Sequence, residues 1–314
     1  MKLSVMMITY NHERFITQAL ESVLAQRVNC DYEIVVGEDC STDGTRAIVM
    51  DFHRRYPGRI VPLLREKNIG GARNIELTLA ACRGQYVAML EGDDYWTCED
   101  KLQRQVDFLD ANPDYAICCH RVQIFDEIGT NRASIFPSRA PGTYTLDDLL
   151  KENFIMTGTT VFRRNSLGPL PPQFQKLAPL DWTRFAMIAR HGEIELMDDV
   201  MAVYRKHSES MWSSMSRLTR LEESSQMLET LDKQLGYEYT STIRKTLCGF
   251  YLETASIARQ EGKRIRTAKH VISCIRNGGW HLPGSDRVLA GLAAYALIGS
   301  WYRVFSRAKS ASGG

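Results

Sequence analysis

Residues 85–94, QYVAMLEGDD, run from six strand-forming residues into an abrupt acidic end at Glu91, Gly92, Asp93 and Asp94. A short apolar run closed by turn residues is what a strand buried on both faces looks like. The same unit recurs toward the N-terminus. LSVMMIT (3–9) is a buried-strand candidate that ends at Thr9, Tyr10 and Asn11, and YEIVVGE (32–38) is another that runs into Asp39. Between them Phe15, Ile16, Ala19, Leu20, Val23 and Leu24 recur at helical spacing through Gln26. Further helices are expected over 43–56 and 74–82, with a strand at 59–64. This βαβαβαβ order implies an α/β fold with a mostly parallel, Rossmann-like central sheet and helices on both faces. Ligands of such sheets bind outside the carboxyl ends of the strands, and three strand ends here bring side-chain oxygens to that edge.

Past Asp94 the pattern predicts a helix over 100–111, a strand over 115–125, an irregular stretch over 129–145 and a short helix over 146–152. A strand at 159–163 and a loop holding Pro169, Pro171 and Pro172 follow. A helix then begins at Asp181 and runs to Arg190, and an extended pair covers 193–204. From about Ser216 strand signals vanish, and helices are expected over 216–235, 240–261, 264–277 and 285–305, ahead of a frayed AKSASGG terminus. The chain therefore divides into residues 1–215 and a C-terminal α-helical region, 216–314.

The overall charge of +2, from 39 basic and 37 acidic residues, gives no nucleic-acid signature. Residues 259–314 nevertheless hold ten Lys/Arg against two acids, a net of +8, which leaves −6 for the rest. Eight cysteines show no CxxC pair or zinc-ligand spacing, and several lie in apolar runs, so they read as reduced core residues of a cytoplasmic chain. No signal-peptide pattern opens the sequence. The apolar stretch from Val288 to Tyr302 is shorter than the roughly 20 residues that span a bilayer. Lys263, Arg264, Arg266 and Lys269, with Trp280, Trp301 and Tyr302 beside that stretch, suit an interfacial surface over 260–310 that meets an anionic membrane on the inner face of the cell. The same residues suit a helix packed on the core or on another subunit.

Closely spaced carboxylates such as Glu91, Asp93 and Asp94 repel one another and invite a divalent cation; oxygen-only donors suit Mg²⁺ or Mn²⁺. A turn capping the next helix is the alternative. Asp39 has the same two readings: a partner for a base or ribose, or part of an N-cap. Asn68-Ile-Gly-Gly-Ala-Arg73 supplies a glycine turn, a helix start and an arginine, which suit a phosphate. A nucleotidyltransferase would want a glycine-rich basic loop after the first strand, and a dinucleotide enzyme a GxGxxG; that loop is YNHER here.

Taken in order, LSVMMITYNHERFITQALESVLAQ, YEIVVGEDCSTDGT, NIGGARN and GQYVAMLEGDDYW resemble the nucleotide-binding half of family 2 glycosyltransferases of GT-A fold. LDWTRFAMIARHG and VMAVYRKHSESMW extend the likeness to about residue 212. The resemblance implies a GT-A domain over 1–215, with residues 1–95 as nucleotide half and 96–215 as acceptor half. It implies an inverting transferase of bacterial surface-polysaccharide type, moving a sugar from a UDP-sugar to a saccharide or lipid-linked acceptor with Mn²⁺ or Mg²⁺. By position, Thr9, Tyr10 and Asn11 match the loop that packs on uracil and ribose, and Asp39 the acid that reads the base. Asn68 and Arg73 fall at donor or phosphate contacts, with a surface position as the alternative for Arg73. Arg205 and Lys206 suit a diphosphate clamp in a loop that closes over bound donor, or a solvated basic loop. Glu91-Gly92-Asp93 stands where the family has Asp-x-Asp, so Asp93 is expected on the metal, with Glu91 and Asp94 beside the donor. Asp181 matches the general base, with a helix N-cap as its alternative role. His207 resembles a late histidine that completes the metal site in some members, or is a loop histidine. A non-catalytic sugar-nucleotide-binding or scaffold protein of the same fold is the other reading of the chain.

Overall fold

Strands β1 (Leu3–Thr9), β2 (Tyr32–Glu38) and β4 (Tyr86–Glu91) bury successive side chains with no alternation. A strand is buried on both faces only when helices cover both sides of its sheet, which is why these runs are continuously apolar. The computed structural model describes residues 1–127, 133–168, 171, 173–174, 180–208, 215–279 and 289–295. With β3 (Ile60–Leu64), β5 (Tyr95–Trp96), β6 (Tyr115–Asp126), β9 (Val161–Arg163) and β10 (Glu193–Lys206), the sheet has the order β3-β2-β1-β4-β9-β6-β10-β5. Two further short strands, β7 (Ser134–Phe136) on β6 and β8 (Gly142–Tyr144) on β10, complete it. The long strands pair in parallel; every antiparallel pairing involves a strand of two or three residues.

Strands β2 and β3 are added outward to one side of β1, and β4 then docks on its other side. That reversal opens a crevice beyond the carboxyl ends of β1 and β4. The register places polar residues around it: Thr9 lies opposite Glu38, and Ile8 opposite Glu91. The other end of the same three strands is locked by Glu33, which is buried. Its carboxylate accepts from Ser4 Oγ (2.7 Å), the Arg83 backbone N–H (2.9 Å) and Arg83 Nε (2.9 Å), while Ser4 Oγ accepts from the Gly84 N–H (2.8 Å). Burial alone would raise the Glu33 carboxyl, but the bonds from Arg83 and Ser4 prevail and hold it below the ordinary value. A buried donor left without this acceptor costs about 1–3 kcal/mol, so the cluster fixes the register that aligns the opposite edge.

Helices α1 (Ile16–Leu24), α2 (Thr45–Arg55), α3 (Gly71–Ala81), α4 (Lys101–Ala111), α5 (Leu146–Lys151) and α6 (Leu180–Ala189) accompany the sheet. Three expectations change. The stretch 129–145 is not wholly irregular, because β7 and β8 form where β6 and β10 offer open edges to pair with. The extended pair over 193–204 is one strand, β10, with register shifts around Val200. Asp198 and Asp199 fall in that irregularity and reach Arg121 (3.0 Å) and Arg104 (2.5 Å). Helix α3 starts three residues early, at Gly71, because Asp39 organises the turn before it. The described residues also form a second compact unit from Met215 onward, with Leu150–Glu152. It holds α7 (Arg217–Gln234), α8 (Thr240–Gln260) and α9 (Arg264–Arg276), and residues 289–295 are helical. Ser216 caps α7 by accepting from the Thr219 N–H. Pro169, Pro172, Trp212, Trp280, Trp301 and Tyr302, most of the helix expected over 285–305 and the AKSASGG terminus lie outside the described residues.

Candidate active site

The chain leaves β4 at Glu91 and turns at once, so Glu91, Asp93 and Asp94 are forced into one small volume: an oxygen from each lies within 4.8 Å of the others. Gly92 permits that turn against β1. A Cβ there would meet Thr9 Oγ1 at 2.7 Å and His12 Nδ1 at 3.0 Å. Asp94 is buried and accepts the Arg205 backbone N–H (2.9 Å). No helix is capped by this turn; β5 follows it, and the N-cap of α4 is Asp100.

Asp93 stands between two histidines. His207 Nε2 lies 3.0 Å from its Oδ2 and His12 Nε2 lies 3.8 Å from the same atom. Burial works to raise Asp93, but the His207 hydrogen bond and the His12 and His207 charges outweigh it and hold the carboxyl low. Its neighbours go the other way. Burial, with the charges of Asp93 and Asp181, pushes Glu91 up to about 8, and burial with the charges of Asp93 and Glu91 lifts Asp94 well above the carboxylate range. The cluster is therefore one low carboxylate beside two that resist ionisation.

Arg205 is also buried. Its guanidinium donates to the Asp93 carbonyl (2.5 Å) and to Gln18, and packs 4.4 Å from the Tyr95 ring centroid. It holds the acidic turn through the Asp93 carbonyl and, by its backbone N–H, the Asp94 carboxylate.

Asp181 lies in the first turn of α6, one residue inside the helix, and its carboxylate accepts the Trp182 N–H (2.8 Å). Burial raises its proton affinity, and its charge reaches Glu91. Three residues on, Arg184 is 1% exposed. Nε, Nη1 and Nη2 are all buried without a hydrogen-bond partner. Burial brings it down to about 10, against the opposing charges of Asp181, Glu76 and Glu91, so it stays cationic at neutral pH.

The loops after β1 and β2 are stapled together. Asn11, at φ +55°, donates its N–H to Ser41 Oγ (3.0 Å), and its Oδ1 accepts the Thr42 N–H (2.9 Å). Asp39, buried at the end of β2, accepts the N–H groups of Ile69 (2.9 Å) and Gly70 (3.0 Å), one on each oxygen. Asn68 Oδ1 accepts from Gly70 as well (3.1 Å), and Gly70 takes φ +83° to enter α3. A carboxylate has about four acceptor sites, so Asp39 retains capacity for a further donor. Tyr10 is exposed beside this loop, and Thr9 Oγ1 is buried without a hydrogen-bond partner.

The fold thus brings Glu91, Asp93, Asp94, Arg205 and His207 into direct contact, with Asp181 in electrostatic reach and Thr9 against Gly92. Asp39 and Asn68 form a second group with Asn11 nearby. Arg73 joins neither; it is exposed on α3 and pairs with Glu76 (3.1 Å). The sequence reading missed His12, whose position one residue past Asn11 was its only signal, and Arg184, whose i+3 spacing from Asp181 on one helix face was available.

A mostly parallel sheet that reverses its strand order at an acidic turn, with helices accompanying it, is the architecture of GT-A glycosyltransferases. Residues 4–168 match the glycosyl transferase family 2 profile, and the chain belongs to that family. An uncharacterized protein of Mycobacterium tuberculosis is 38% identical over 213 residues, covering 68% of this chain and 61% of its own length. The chain thus spans under two thirds of that relative. The Escherichia coli UDP-Glc:alpha-D-GlcNAc-diphosphoundecaprenol beta-1,3-glucosyltransferase WfgD is 32% identical over 168 residues, 53% of this chain and 62% of its own. Among solved structures, S. aureus TarS in complex with UDP superposes with a TM-score of 0.55 at 19% identity, over 88% of this chain and 89% of that one.

Proposed function

We propose that the chain transfers a sugar from a UDP-sugar to a hydroxyl of a glycan or lipid-linked saccharide, by direct displacement with inversion. The observation that carries this reading is a half-buried, proton-seeking Asp181 whose charge reaches Glu91 in the acidic turn of a family 2 fold. Asp181 accepts the proton of the acceptor hydroxyl as that oxygen attacks the anomeric carbon. Thr9, Tyr10, Asn11, Asp39 and Asn68 seat the nucleoside, and Asp39 also orders the turn into α3 on which Arg73 stands. Arg205 and His207 serve the site through Asp93 and Asp94, which they hold.

Glu91, Asp93 and Asp94 fit a divalent cation: their oxygens converge, and the burial and mutual repulsion that lift Glu91 and Asp94 are what a cation offsets. Oxygen donors favour Mg²⁺ or Mn²⁺. When bound, such an ion supplies positive charge against the departing diphosphate. The test is thermal shift and nucleotide release with a panel of UDP-, GDP- and dTDP-sugars, in Mn²⁺ or EDTA. Metal-dependent stabilisation by one UDP-sugar with slow UDP release is expected; silence toward every nucleotide would sink the reading.

We also propose that the helical unit lies on an anionic membrane, the setting of a lipid-linked acceptor. Ile265, Lys269, Ile272 and Arg276 are exposed at i, i+4, i+7 and i+11 of α9, one stripe of alternating apolar and basic side chains, with Ile265 80% exposed. Arg266 is not part of it, being paired with Glu222. No helix among the described residues is long and apolar enough to cross a membrane. Replacing Ile265 and Ile272 by Ser is expected to abolish co-sedimentation with phosphatidylglycerol vesicles; undiminished sedimentation rejects this surface.

A further inference from the structure

We propose that Arg184 is the binding residue for an anionic group, a carboxylate or a phosphate, carried by the acceptor that presents its hydroxyl to Asp181. This rests on the glycosyltransferase reading, which makes Asp181 the acceptor-side base.

Arg184 is the one described arginine whose three side-chain nitrogens are all buried without a hydrogen-bond partner. A guanidinium is built to hold a planar or tetrahedral oxyanion through two parallel N–H bonds. Burying it without them is costly, and a long-range balance of charge recovers only part of that cost. The other buried cation of the crevice, Arg205, contrasts with it: Arg205 is bonded to the Asp93 carbonyl and to Gln18. Arg184 has no such task in the fold.

Its placement names the ligand. Asp181 and Arg184 are three residues apart in α6, so their side chains leave the same helix face, with Cβ atoms roughly 5–6 Å apart. A sugar with its hydroxyl at Asp181 therefore carries its neighbouring substituents within reach of the guanidinium. The acidic side chains whose charge reaches it, Asp181, Glu76 and Glu91, leave the surroundings otherwise hostile to anions. A neutral acceptor needs no buried cation there, whereas an anionic one cannot enter without it. Two sources share this chemistry: the carboxylate of a uronic acid unit and the phosphate of a lipid-linked saccharide.

The test uses the full chain with UDP and Mn²⁺ present, and measures binding by calorimetry for two pairs of probes. Methyl glucuronide is set against methyl glucoside, and geranyl diphosphate against geraniol. Wild-type protein is expected to bind one anion on the order of 10- to 100-fold more tightly than its neutral counterpart, the range of charge-assisted hydrogen bonds. Preference for the glucuronide identifies the sugar carboxylate, and preference for the diphosphate identifies the lipid phosphate. Arg184→Gln is expected to bind both members of the pair equally, with Arg184→Lys between. The proposal is overturned if neither anion is preferred by wild-type protein, a result that needs no variant to fold, or if the preference survives in Arg184→Gln. Arg184-dependent discrimination of UDP-glucuronate from UDP-glucose, with no acceptor preference, also overturns it by moving the residue to the donor. UDP binding without anion preference leaves the glycosyltransferase reading standing; absence of UDP binding in wild-type protein removes both.

Discussion

Asp181→Asn is expected to lower sugar transfer by roughly 10²- to 10⁴-fold, the contribution of a positioned general base, with UDP affinity unchanged. The amide keeps the shape of the side chain and its acceptor for the Trp182 N–H, so the fold is retained; what is lost is a site for the acceptor's proton. Asp181 is suited to the task because burial raises its proton affinity above the reference value of 3.8. The sign of the pH dependence follows. The base works when deprotonated, so the rate of the wild-type protein falls as pH drops through this raised value, and that limb is absent from Asp181→Asn. Steady-state rates across pH, with calorimetric UDP affinities, check both parts. A variant that transfers sugar at the wild-type rate would reject Asp181 as base and return weight to a binding or scaffold role.

Asp93→Asn is expected to remove metal-dependent stabilisation by UDP and to reduce transfer by about 10²- to 10⁴-fold, the equivalent of several kcal/mol of charge stabilisation. It differs from the Asp181 variant by losing donor binding as well as turnover. Asp93 is the ligand to choose because it is the one acid of the turn held low, by His207 and His12, while burial and neighbouring charge raise Glu91 to about 8 and lift Asp94 well above the carboxylate range. It is ionised at neutral pH before any cation arrives. Melting curves of the variant with Mn²⁺, UDP, both and neither separate the effect from simple destabilisation. If the apo variant melts with wild-type protein and the UDP shift in Mn²⁺ persists, Asp93 is not a ligand.

The order of strands and helices through Asp126, the two-residue β5 apart, and the edge on which the polar residues gather, were legible from the chain. Continuous apolar runs of six or seven residues, closed by Thr9, Asp39 and Glu91 and alternating with helical periodicity, read as strands buried on both faces, and that calls for a two-sided α/β sheet. The acids themselves were equally plain, since repulsion among Glu91, Asp93 and Asp94 depends only on their spacing. The sheet partners of β7 and β8 were not legible, because strands of three residues have too little periodicity and owe their existence to the open edges of β6 and β10. Nor was the division of labour among the acids. Asp93 is held low because His207, 114 residues later, reaches its oxygen, whereas burial and the charges of Asp93 and Glu91 raise Asp94 in spite of the Arg205 N–H on its oxygen. Asp39 and the turn into α3 are joined across 30 residues, and Arg184 looks in the sequence like any surface arginine of a helix. Local periodicity reports which face of an element is buried. Which charge meets which, and which is left without a partner, is settled by contacts between distant segments, and only the folded chain makes those.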